Sequence, residues 1–103
     1  MMDPKADIRL LAEDLQLLSK LVHDPATVAA KQCAPKVIQA ITGALERYGT
    51  EDLSLTVYAA RELERYVCGE TTQIGSRRIA EVYYRVLCAG VEQLSRPEQD
   101  RNA

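Results

Sequence analysis

The sequence predicts an all-α fold: a compact bundle of four to five helices, with the second helix short and broken at Pro35. Three observations carry this expectation. Apolar residues recur at intervals of three and four, the repeat of an α-helix, along most of the chain. No segment alternates apolar and polar residues in the period of two that marks a half-buried strand. The breaks between periodic stretches fall on helix punctuation, at Asp3-Pro4, Asp24-Pro25, Gly49-Thr50 and Gly69. There Asp and Thr suit an N-cap, Pro the first helical position, and Gly a helix end.

The first predicted helix runs from about Pro4 to His23. Ile8, Leu11, Leu15, Leu18 and Val22 form one apolar stripe, and Leu10, Leu17 and Leu21 form a second row beside it. The next helix starts at Pro25. Pro35 lacks a backbone donor and disfavours helix at Ala34, so the spacing predicts a break there. A third helix, from about Pro35 to Tyr48, turns Val37, Ile38, Ile41, Ala44, Leu45 and Tyr48 inward. Thr50 is placed to cap a fourth helix over about Glu51 to Cys68. Leu53, Val57, Ala60, Leu63 and Val67 face its core side. After the loop GETTQIG, the last helix begins near Gly75-Ser76 and ends near Leu94. Its main stripe reads Ile79, Tyr83, Val86, Leu87 and Leu94, with Tyr84, Cys88 and Val91 flanking. Residues 1–95 are expected to form one helical domain, and Pro97 with the polar EQDRNA a flexible tail over 96–103.

Bulk properties narrow the function. A chain of 103 residues with 47% hydrophobic and 27% charged residues fits one ordinary globular domain. The net charge of −2 gives no overall basic field for nucleic acid or anionic lipid. No apolar run approaches the roughly 20 residues of a membrane span, and the start lacks a signal-peptide layout. Cys33, Cys68 and Cys88 are odd in number and widely spaced, so they are expected as reduced thiols in a cytoplasmic protein. No metal or cofactor is expected: ligand types do not cluster, and neither a phosphate loop nor a nucleophile elbow is present. His23 is the only histidine and sits at a helix end before Pro, a poor place for phosphotransfer. Asp7 and Asp14 lie two turns apart, too far for a paired acid and base. These readings point away from an enzyme.

Two surfaces stand out. On the fourth helix, Ser54, Tyr58, Arg61 and Arg65 share the outward face with Cys68. Tyr and Arg are the residue types most enriched at binding hot spots, although a solvated face balanced by Glu62 and Glu64 is the plainer alternative. The first and last helices carry more apolar surface than one stripe requires. Leu10, Leu17, Leu21, Tyr84, Cys88 and Val91 are therefore expected at an interface between two copies. The arginines at 77 and 78 invite comparison with a DNA-reading helix-turn-helix. That motif needs a small residue where Arg65 stands, an apolar one at Glu70, and a buried one at Gly75. The resulting expectation is a non-enzymatic helical adaptor or regulator that works through a protein partner and self-associates. The alternative is a nucleic-acid- or nucleotide-binding regulator using Arg61, Arg65, Arg77, Arg78 and Arg85.

Overall fold

The computed structural model describes residues 4–49 and 52–94, with side chains from Leu11 onward. All regular structure among the described residues is helical, as four elements: α1 (Pro4–His23), α2 (Val28–Tyr48), α3 (Ser54–Val67) and α4 (Arg77–Leu94). Each packs on its chain neighbours and α1 packs on α4, so the helices close a compact ring around one core. Leu18, Ile41, Leu63 and Leu87, one from each helix, are fully buried at its centre. Burying a side chain of this size contributes roughly 1.5–3 kcal/mol. No helix among the described residues is long and apolar enough to cross a membrane. The expected Thr50 cap, the tail over 96–103 and the side chain of Leu10 lie outside the described residues.

The expected break at Pro35 is absent, because α2 continues through it. Pro35 and Lys31 are both exposed. The Lys31 carbonyl, which residue 35 would otherwise bond, can therefore take its hydrogen bond from water. The helix begins at Val28 rather than Pro25. Thr27 Oγ1 accepts the Ala30 N–H at 3.0 Å and supplies the N-cap. Before it, Ala26 takes a positive φ of 65°, and its N–H donates to the Val67 carbonyl at 2.7 Å. The α1–α2 turn thus closes the end of α3.

Gly69 ends α3 as its sequence position predicts. It adopts φ +76°. Its N–H donates to Tyr66 O at 3.1 Å, and Glu70 N–H donates to Arg65 O at 2.8 Å. This pair of bonds satisfies carbonyls that the last helical turn leaves open. Ser76 caps α4, its Oγ accepting the Ile79 N–H at 3.3 Å.

The face of α4 follows expectation in part: Leu87 is buried and Tyr83 and Leu94 pack against the core, but Ile79 does not. Its buried positions are Ala80, Leu87, Gly90 and Val91, while Ile79 and Val82 stand exposed. Small residues explain the choice. Gly90 lies against Thr56 so closely that a Cβ there would come within 2.4 Å of the threonine side chain. Thr56 lies near the start of α3 and Gly90 near the end of α4, so the two helices run antiparallel.

Candidate functional site on the outward face of α3

Ser54, Tyr58, Arg61 and Arg65 are all exposed on α3. The local start of the helix orients this face. Asp52 Oδ1 accepts the Ser54 N–H at 3.0 Å and also its hydroxyl proton. Those bonds hold the Asp52 carboxyl below the usual carboxylate range. Ser54, Tyr58 and Arg61 line an open cleft of about 550 Å³, walled by Leu45 and Gly49 at the end of α2 and by Leu53 and Val57. Arg65, one turn further on, is not part of it.

Tyr58 is exposed but held. Its hydroxyl donates to Glu62 Oε1 at 3.2 Å, and its ring lies 6.2 Å from that of Tyr83 at 44°. Partial burial, reinforced by the bond to the Glu62 carboxylate, raises the Tyr58 phenol above its ordinary pKa. Glu62 is only 5% exposed. Its other oxygen accepts the Thr72 hydroxyl at 3.0 Å, and Arg65 approaches to 3.8 Å. The α3–α4 loop is thereby tied to the same carboxylate that fixes Tyr58. Sequence reasoning treated Glu62 as a surface charge. The only signal for its role was the one-turn spacing from Tyr58, since Thr72 arrives from another segment.

The residues expected between two copies are divided. Leu21 and Val91 are 8% and 6% exposed and belong to the chain's own core. Tyr84 is half-buried and its hydroxyl donates to Leu15 O at 2.7 Å, joining α4 to α1. Cys88 is half-buried beside it, and Leu17 is exposed.

Arg77 also has internal work, donating to His23 O at 2.9 Å and satisfying an end carbonyl of α1. Arg78 and Arg85 are exposed. Burial pushes the Cys68 and Cys88 thiols up, and Glu70 and Glu64 push Cys68 further. That keeps both in the less nucleophilic thiol form. Among the described residues no three His, Cys, Asp or Glu side chains gather as a metal site. No family model, curated protein or solved structure matches the chain.

Proposed function

We propose that this chain is a small cytoplasmic helical adaptor or regulator that acts through protein contacts rather than catalysis. The outward face of α3 is its contact surface. The observation that carries the reading is Tyr58: 45% exposed, yet fixed by Glu62 and Tyr83, with exposed Arg61 and Arg65 beside it. An aromatic ordered before binding loses little entropy on contact, and Tyr and Arg are the usual anchors of interfaces.

Affinity capture from a lysate of the source cell tests this. Wild type should retain a defined protein that Tyr58→Ala and Arg61→Glu both lose, while circular dichroism stays unchanged. Equal retention by both folded variants removes α3 from the function. Self-association through α1 and α4 would rest on Leu17 and the open edges of Tyr84 and Cys88. A dimer mass in light scattering that falls to monomer in Leu17→Glu supports it, and a constant monomer mass ends it.

A second reading, an Arg-based nucleic-acid or nucleotide regulator, draws on the exposure of Arg61, Arg65, Arg78 and Arg85. Its signature is oligonucleotide binding that weakens steeply with salt. No binding at low salt ends it.

A further inference from the structure

Glu62 is the one charged side chain buried among the described residues. A buried carboxylate is stable only while donors surround it. Glu62 draws its donors from two places. Oε1 accepts the Tyr58 hydroxyl at 3.2 Å, and Oε2 accepts the Thr72 hydroxyl at 3.0 Å. Tyr58 stands on the exposed face of α3, and Thr72 lies in the α3–α4 loop. A third donor stands one turn along α3. Arg65 Nη1 is 3.8 Å from Oε2. A charge-assisted hydrogen bond closes at about 2.7–2.9 Å, so this pair is roughly 1 Å short of contact. The Arg65 side chain is 59% exposed, which leaves room for it to turn toward Glu62. Residues three apart on a helix are neighbours, so the pairing needs only side-chain rotation. Glu62 therefore has two donor sets within reach: Tyr58 with Thr72, or Arg65.

The middle of the loop is held at Thr72 and Ile74. Thr72 Oγ1 also accepts the Ile74 N–H at 3.3 Å, and the Ile74 side chain is buried in the core. The residues around them, Thr71, Gln73 and Gly75, are exposed. A Cβ on Gly75 would meet nothing within 4 Å, so the loop has open space beside it at that end. Segments with few buried contacts and exposed backbone are the ones that open locally.

We propose that Glu62 is a two-position relay through which the α3–α4 loop sets the Tyr58 contact face. With the loop docked, Thr72 and Tyr58 share the carboxylate, the Tyr58 ring is fixed, and Arg65 is available to a partner. With Thr72 withdrawn, Oε2 loses its nearest donor and Glu62 turns to Arg65. That turn takes Oε1 away from the Tyr58 hydroxyl and occupies the Arg65 guanidinium. Tyr58 and Arg65 thus leave the contact face together. The proposal rests on the protein-contact reading above and adds how that face is regulated. Linkage makes the coupling reciprocal, so a partner that holds Tyr58 in place also tightens the loop.

The test uses the full chain with isotope-labelled tyrosine and follows two signals by NMR: the Tyr58 ring, and amide exchange over 70–75. Thr72→Val keeps the side-chain shape and removes the donor. Exchange over 70–75 should become roughly fivefold faster, the weight of one net hydrogen bond, and the Tyr58 ring signal should shift. Tyr58→Phe should in turn speed exchange over 70–75 by about threefold or more, as reciprocity requires. Arg65→Met keeps the apolar stem and removes the alternative donor. In that background Thr72→Val should leave the Tyr58 ring signal where it is. A merely structural role for Glu62 would shift the ring equally with and without Arg65, and that result overturns the relay. An unmoved ring in Thr72→Val, or unchanged loop exchange in Tyr58→Phe, overturns it as well. An unmoved ring with partner capture lost in Tyr58→Ala would reject the relay and keep the protein-contact reading. A working relay with capture kept in Tyr58→Ala would reject the contact reading alone.

Discussion

Replacing Gly90 by Ala measures how tightly α3 and α4 are joined. The added Cβ would lie 2.4 Å from Thr56 Cγ2 and Oγ1 and 2.9 Å from its Cβ. Favourable carbon contacts begin near about 3.5 Å. The helices must therefore separate by roughly 1 Å, and rotating Thr56 does not clear the clash because its Cβ is also too close. Overpacking of this kind costs about 1–3 kcal/mol, and Thr56 is buried, which sets the expected cost at about 2–3 kcal/mol. Against it stands a gain of about 1 kcal/mol from the better helix propensity of Ala. The net loss is about 1–2 kcal/mol, or a drop in Tm of roughly 5–15 °C for a chain this size. Urea unfolding of wild type, Gly90→Ala, Thr56→Gly and the double variant gives the full cycle. The double variant restores room for the methyl group, so it should be more stable than the sum of the singles by about 2 kcal/mol. A Gly90→Ala variant that gains stability, or a cycle that adds without coupling, would refute the close approach of the two helices.

Two further substitutions probe the bonds around the site. Glu62→Ala removes the carboxylate that accepts from Tyr58 and Thr72, leaving Thr72 the longer bond to the residue-62 carbonyl at 3.4 Å, and should destabilise by about 1–2 kcal/mol. Hydrogen exchange should rise first over 70–75, and unchanged exchange there would contradict the tie between Glu62 and the loop. Tyr84 has its phenol pushed up to about 12, mainly by burial and then by its hydrogen bond with Cys88. A folded pKa above the unfolded value near ~10 means the stabilisation is complete below ~pH 10 and disappears as pH climbs through the folded value. Tyr84→Phe should lose about 1 kcal/mol at pH 7 with the Leu15 bond, and its alkaline decline should be shallower than that of wild type in pH-dependent urea melts. Identical alkaline limbs would remove Tyr84 from that transition.

Much of the fold was legible because helix punctuation is local. Pro4 starts α1, Gly69 ends α3, and the inward residues Val37, Ile38 and Ile41 of α2 and Ala60, Leu63 and Val67 of α3 are buried as their spacing predicts. Pro35 misled because the rule against proline depends on whether the freed carbonyl meets water, and residue spacing does not reveal that. The faces of α4 misled in part, and for a different reason. Leu87 of the expected stripe is buried and Tyr83 and Leu94 pack against the core. Size also favoured Ile79, which stands exposed, while Ala80 and Gly90 permit close approach and join the packed side. At the candidate site, one helix period sufficed to bring Ser54, Tyr58, Arg61 and Arg65 to one face. The cleft and the Glu62 cluster were hidden, because Leu45, Gly49 and Thr72 come from other segments.

The bond from the Ala26 N–H to the Val67 carbonyl has a consequence for the order of folding. The Val67 carbonyl at the end of α3 is satisfied by a turn from the first half of the chain, so α3 and α4 by themselves would leave it to water. That turn must dock before the bond forms, which makes its closure a late, long-range event in folding. A contact that closes late is among the first to open, so the Ala26 amide should exchange through local opening of the turn, ahead of the amides at the centre of the helices.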